Sequence, residues 1–178
     1  MDAHFLNYDQ FRALARPTSQ HLEEDIVANY ISECEDTYIV PAITLELYYA
    51  LCEYDEEHGA LDDPLRILLN GGSYEDTQRC DGAYQWRMCY GFRKALSYFV
   101  YAKMMLDDGL TVTRSGNIQH NDEYGYRMEQ KQRINRYNDV LNTAQMYLES
   151  CLQYVHFLAP REQHQIKQFG TRIKAIGD

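Results

Sequence analysis

Apolar residues recur at helical spacing in the last third of the chain. Their separations alternate between three and four residues: Ile134, Tyr137, Leu141, Ala144, Leu148, Cys151, Val155 and Leu158. This a/d pattern continues for more than three heptads, so it predicts one long helix that ends before Pro160. The seam suits an intermolecular coiled coil or, as is commoner at this length, packing inside a helical bundle.

The helix predicted over residues 89–108, before this one in the chain, is apolar on nearly every side. Its apolar residues are Phe92, Ala95, Leu96, Phe99, Val100, Ala102, Met104, Met105 and Leu106. A helix without a polar face belongs in the middle of a bundle.

The first third of the chain predicts two helices. Thr18 or Ser19 can cap the first, and an apolar stripe at every fourth residue follows. Pro41 should break this helix, and residues 42–59 predict a second helix closed by Gly59.

The segment between these helices and the apolar one mixes turn and strand signals. Pro64 suits the first turn of a short helix, and Tyr84, Trp86 and Met88 then alternate with polar residues after Asp81-Gly82, a good two-residue turn. This pattern favours a small β-hairpin, with an irregular extended loop as the alternative.

Together these elements predict a mainly α fold. It is a bundle of about four principal helices, with a small β-hairpin or extended loop between helices two and three. The predicted helical domain covers residues 18–158, between an amino-terminal segment, 1–17, and a carboxy-terminal arm, 159–178.

The charge is acidic and uneven. The chain has 27 acidic and 17 basic side chains, a net charge of −10, which argues against sequence-independent binding to DNA. Residues 161–178 carry +2, which leaves −12 for the rest. A basic arm on an acidic body fits docking on a neighbour or a solvated terminus.

Tyrosines and cysteines are the other compositional signals. The 16 tyrosines suit half-buried subunit contacts or a boundary layer around the chain's own core. The five cysteines sit singly and no secretory signal precedes them, which predicts reduced thiols in a cytosol. The best membrane-span candidate, residues 89–106, carries three basic residues, so no membrane association is expected.

No motif for catalysis, metal or phosphate binding is present. The six histidines form no H-x3-H or H-E-x-x-H pair, and no G-x-S-x-G or P-loop occurs. A site assembled from Glu53, His58 and tyrosines is the remaining enzymatic alternative. We therefore expect a protein that is not an enzyme and needs no cofactor.

The order of features resembles the head–tail connector, or adaptor, proteins of tailed bacteriophages, in particular a small family from crAss-like phages of gut Bacteroidales. The similarity spans roughly residues 20–158. The residues that carry it are Tyr30-Ile31, Tyr38-Ile39, Pro41, Ile43, Leu47-Tyr48, Gly71-Gly72-Ser73-Tyr74, Gly91, Ala95-Leu96, Tyr98-Phe99, Tyr101-Ala102, Thr111, Thr113 and Gly116.

This resemblance implies a virion protein, assembled in the host cytoplasm. Its subunits would form a ring, commonly of twelve, beneath the portal at the head–tail junction, in contact with the portal and with tail or neck proteins. DNA would pass through the channel without specific binding. The alternative is a small cytosolic helical module that binds one protein partner through the seam of the last helix.

Under the connector interpretation, the stretch after the apolar helix is an extended connector. Its threonines and Arg114 cap the bundle or reach a neighbour. The residues predicted to contact other subunits are Tyr74, Tyr84, Trp86, Thr111, Thr113, Arg114, Ile118, Lys167, Arg172 and Lys174.

Overall fold

A computed structural model describes residues 4–17, 22–55, 59–60, 62–77, 85–107, 110–113, 116–119 and 130–159. Within these residues the elements in chain order are α1 (Tyr8–Leu14), α2 (Glu24–Cys34), a π-helical segment (Glu35–Ile39), α3 (Leu45–Cys52), α4 (Pro64–Asn70), β1 (Gly72–Asp76), β2 (Gln85–Cys89), α5 (Phe92–Asp107), β3 (Leu110–Thr113), β4 (Gly116–Gln119) and α6 (Gln130–Leu158).

The core lies between α5 and α6, which make the most extensive packing in the fold. Helix α5 buries apolar residues around much of its circumference, and α6 buries Tyr137, Leu141, Ala144 and Cys151 of the predicted seam. Leu148 and Val155 pack partly buried against the same core. Most of the seam therefore packs inside the bundle, whereas Leu158 at its end is 39% exposed.

The amino-terminal segment belongs to this core as well. Phe5, Leu6 and Phe11 are buried in the same cluster as α5 and α6. The guanidinium of Arg93, on α5, donates from Nε to the Phe5 carbonyl at 2.6 Å and from an Nη to Asn70 Oδ1 at 2.8 Å. The predicted boundary after residue 17 thus separates segments that share one core.

Two helix ends differ from the sequence-based expectation. Helix α2 begins at Glu24, whereas the predicted caps Thr18 and Ser19 lie outside the described residues. Helix α3 has the cap Thr44, and it ends at Cys52, well before Gly59. Acidic residues follow that end, where the negative end of the helix dipole disfavours carboxylates, so continuing the helix would be unfavourable.

Both strand pairs are antiparallel hairpins. Strands β1 and β2 pair from Gly72 with Cys89 to Asp76 with Gln85, which confirms the predicted hairpin; Asp81-Gly82 lies outside the described residues. Strands β3 and β4 pair from Leu110 with Gln119 to Thr113 with Gly116. The connector predicted here as merely extended is therefore a second hairpin.

The fold is mainly α-helical with a small hairpin between helices, as predicted. The tyrosines described by the structure mostly fill the boundary layer: Tyr38 stacks on Phe99 with ring centroids 4.2 Å apart, and Tyr98 meets Tyr147 edge-on. In the part of the chain that the structure describes, no helix has the length and apolar character needed to cross a membrane.

Candidate subunit-contact surface

Two glycines join the β1–β2 hairpin to the helices on either side. Gly71 and Gly91 both have a positive φ, 90° and 87°. A Cβ on Gly91 would lie 2.6 Å from the Gly71 nitrogen and 2.7 Å from the Leu69 carbonyl oxygen, so only glycine lets the two ends approach this closely. The hairpin is therefore held in a defined position on the bundle.

The inward face of the hairpin is part of the core. Tyr74 packs its ring 4.6 Å from that of Tyr154, centroid to centroid, and Cys89 is fully buried. Beside Tyr74, Arg87 Nε donates to Asp76 Oδ2 at 2.9 Å. The cross-strand register puts Tyr74 opposite Arg87, so these residues share one face.

The outward face carries two large apolar side chains. Ser73, Glu75, Trp86 and Met88 point to this side, because side chains alternate along a strand, and we call these four residues the hairpin face. Trp86 is 70% exposed and Met88 53% exposed. Within the described residues neither contributes to the core.

Beside the hairpin face runs an open groove of about 420 Å³ between β2 and α6. It is lined by Gln85, Arg87, Met88, Tyr90, Met146, Glu149, Ser150 and Gln153. Ser150 Oγ accepts from the Tyr90 backbone N–H at 3.1 Å, and an Nη of Arg87 donates to Gln153 Oε1 at 3.3 Å. These contacts hold β2 against α6.

Exposed side chains at the end of the groove pack against neighbouring side chains. Tyr90 lies against Tyr147, with centroids 4.7 Å apart, and Lys94 Nζ sits 5.4 Å from the Tyr90 ring centroid. Met146 is 49% exposed. Met88, Tyr90 and Met146 line the groove and are absent from the contact set predicted from the sequence. A methionine outside the seam of α6 was the available signal for Met146.

Only part of the predicted contact set can be located. Trp86 lies on the surface, but Tyr74 is 7% exposed and belongs to the chain's own core, so it is not available to a neighbour. Thr111 and Thr113 lie on β3 and Ile118 on β4. The others lie outside the described residues: Tyr84, Arg114, Lys167, Arg172 and Lys174.

A buried acid lies away from this surface, in the π-helical segment. Glu35 is 1% exposed, and its Oε2 accepts hydrogen bonds from His4 Nδ1 and, at 3.0 Å, from the Tyr48 hydroxyl. Burial raises the pKa of the Glu35 carboxyl above its ordinary value, against the opposing effect of His4. This cluster ties the amino-terminal segment to the bundle.

Two cysteines meet in the core where the hairpin joins α6. The sulfur atoms of Cys89 and Cys151 are 3.8 Å apart, and both are free thiols. The hydrogen bond between the two thiols lowers the pKa of Cys89, and the same contact together with burial raises the pKa of Cys151. They behave as small core residues that anchor β2.

The residues that carry chemistry are dispersed. Glu53 is exposed at the end of α3, and His58, its partner in the enzymatic alternative, lies outside the described residues. In the described part of the chain, no three His, Cys, Asp or Glu side chains form a group that could hold a metal ion.

Comparison with known families places the chain. Residues 39–156, about two thirds of the sequence, match DUF6712, a family of unknown function. The chain belongs to this family. The DUF6712 region runs from the end of the π-helical segment almost to the end of α6, and so includes the β1–β2 hairpin, the groove and both long helices. No curated protein and no solved structure matches the chain.

Proposed function

We propose that this DUF6712 protein is a virion structural subunit of the head–tail connector type. Assembled in the host cytoplasm, its copies form a ring beneath the portal, around the channel through which DNA passes. The reason for proposing this assembly is the order of sequence motifs, which resembles that of phage adaptor proteins. It acts by binding other proteins, and no catalytic step or cofactor is part of it.

The observation that carries this proposal is the hairpin face. A tryptophan that is 70% exposed beside a methionine that is 53% exposed costs solubility, and the Gly71–Gly91 contact holds both in place. Tryptophan is enriched among the residues that dominate binding energy at interfaces, and methionine among interface residues. A rigid apolar surface of this kind is what a lasting subunit contact requires.

Ring geometry adds a requirement that the groove meets. A closed ring of more than two copies needs a heterologous contact, in which one surface meets a different surface of the next copy. The groove beside Met88 and Met146 combines apolar side chains with the polar groups of Glu149 and Gln153. This mixture suits the partly wet interfaces of assemblies that form from folded subunits.

The charge distribution supports a place beside DNA. Residues 17–65 contain no lysine or arginine and thirteen acidic residues. A surface of this sign repels phosphate, so DNA could slide past it without being held. The acids of this stretch are Glu23, Glu24, Asp25, Glu33, Glu35, Asp36, Glu46, Glu53, Asp55, Glu56, Glu57, Asp62 and Asp63, of which Glu35 is buried.

Co-expression with the portal protein of the same phage genome tests the proposal. Mass photometry and cryo-electron microscopy should find a ring of copies on the portal. Trp86→Ser should weaken its assembly by about thirtyfold, the effect of losing one dominant interface residue.

Ile26→Ser is the matched control, because Ile26 is also an exposed large apolar residue, 45% exposed, but lies on α2. It should assemble as the wild type does. Wild-type protein that leaves the portal bare contradicts the connector proposal. A discrete dimer or a one-to-one complex with another protein would instead support the alternative of an interaction module.

A further inference from the structure

Helix α3 carries a second exposed surface, different in character from the hairpin face. Leu45 and Tyr49 are 58% and 57% exposed, and Glu46 and Glu53 are exposed beside them. At 100° per residue these four side chains fall within an arc of about 100°, and we call them the α3 strip. The strip thus combines two apolar and two acidic side chains.

Among the residues that the structure describes, the acids of the α3 strip have no basic partner. Within the described residues neither Glu46 nor Glu53 takes part in a salt bridge, whereas Glu33 pairs with Lys103 at 2.8 Å. The strip also lies within residues 17–65, a stretch that contains no lysine or arginine. An occupant that brings both apolar and basic side chains would match it.

Residues 161–178 have that composition. They contain Arg161, Lys167, Arg172 and Lys174 against two acids, a net charge of +2. Apolar residues stand beside or between the basic ones: Ile166, Phe169, Ile173 and Ile176. These residues lie outside the described part of the chain, and the last described helix ends at Leu158.

We propose that residues 161–178 dock on the α3 strip, with Lys and Arg against Glu46 and Glu53 and with isoleucine and phenylalanine side chains against Leu45 and Tyr49. An 18-residue segment spans at most about 60 Å, enough to reach α3 of its own chain or of an adjacent copy. Because the segment is tethered, its effective concentration is in the millimolar range, and modest surface contacts suffice. The docking does not depend on ring formation.

Zero-length carbodiimide cross-linking of the full-length protein tests this docking, because the reagent joins a carboxylate to a lysine amine only when the two are in contact. Mass spectrometry should identify links from Glu46 or Glu53 to Lys167 or Lys174. The Lys103–Glu33 ion pair is the internal positive control, and Glu149, an exposed acid of α6, gives the background.

Two variants on opposite sides of the contact sharpen the test. Leu45→Ser with Tyr49→Ser, and separately Arg172→Glu, should each lower the yield of these links about fivefold, while Lys103–Glu33 stays constant. Ile26→Ser, at an exposed apolar residue of α2 outside both the strip and the groove, should leave the yield unchanged. The Arg172 variant keeps the test valid if the α3 variant fails to fold.

A mixture of light and heavy-isotope protein distinguishes docking within one chain from docking between copies, and both outcomes support the proposal. Links at the Glu149 background level, or links that neither variant reduces, overturn it. Since the readout is a cross-link and not a ring, a failure here leaves the connector proposal standing, and a failure of ring assembly leaves this one standing.

Discussion

The two faces of the β1–β2 hairpin share one backbone but have opposite roles. The inward face places Tyr74, Cys89 and the Arg87–Asp76 pair against the bundle, whereas the outward face leaves Trp86 and Met88 in solvent. Apolar content does not distinguish them, since both faces carry large side chains. The difference shows that a residue's role here depends on its parity along the strand, because alternate side chains point to opposite sides.

The largest expected effect is a loss of folding stability that only the inward face of the hairpin should show. Tyr74→Ala should lower the free energy of unfolding by about 3 kcal/mol, since it removes a buried ring that packs against Tyr154. Trp86→Ala should change it by less than about 0.5 kcal/mol, because the side chain is mostly exposed. Urea denaturation followed by circular dichroism measures both. Equal losses would mean that the two faces do not differ.

The next largest loss of stability is expected at Gly91, where the hairpin joins the bundle. Gly91→Ala should cost about 2 kcal/mol, because a Cβ would meet backbone atoms at 2.6–2.7 Å and φ is 87°. Gly72→Ala is the control: its Cβ would meet only the Ile67 side chain, at 3.3 Å. A change under about 1 kcal/mol is expected there, by the same denaturation measurement. A tolerated Gly91→Ala would contradict a rigid hairpin base.

The polar residues of the hairpin should follow the same division. Asp76→Ala should cost about 1 kcal/mol, because it leaves half-buried Arg87 without its carboxylate. Glu75→Ala, on the exposed face of the same strand, should be close to neutral. Thermal melting compares the two variants directly. A neutral Asp76 variant would show that the inward pair is only a surface contact.

The smallest expected effect concerns Glu35, a buried acid outside the hairpin. It should appear as a pH dependence of folding stability. Burial raises the pKa of Glu35 above 4.5, so at pH values between its unfolded and folded pKa the native state holds a proton that the unfolded chain has released. This contribution to stability is complete below pH 4.5 and is lost as the pH rises through the folded pKa.

The Glu35→Gln variant has no proton to release at this position, so it does not lose this contribution as the pH rises. The Tm of the variant relative to the wild type should therefore increase as the pH rises from 4.5. Glu75→Gln, at an exposed acid, is the matched control and should show a constant difference. A constant difference for Glu35→Gln as well would show that its burial is not linked to protonation.

Periodicity in the sequence predicted the long elements well. The seam of α6 and the apolar α5 were recognisable because helical spacing persists over many residues, and tertiary packing then had one consistent face to use. Helix α1, the early end of α3 and the β3–β4 hairpin were missed. Helix α1 and the strands β3 and β4 are short, so their local signals are weak, and the Arg93–Phe5 contact that holds the segment before α1 joins residues far apart in the chain.

The candidate contact surface shows the same limit of prediction from sequence. Trp86 was predicted to contact a neighbour and is exposed, while Tyr74 was predicted to do the same and is buried. Both are large aromatic residues of one predicted hairpin, and the sequence offered no way to separate them. Their exposure depends on which face of the strand pair meets α6.

By itself, the sequence determined a mainly helical bundle with a small hairpin before one apolar central helix, a long partner helix after it and a strong acidic bias in residues 17–65. These follow from spacing and composition, which act locally along the chain. Tertiary structure alone decided which aromatic residues remain in solvent, that the first residues join the core, and that the acidic stretch 17–65 exposes Leu45 and Tyr49. The exposure of these individual residues depends on contacts between distant segments, and no local pattern encodes those contacts.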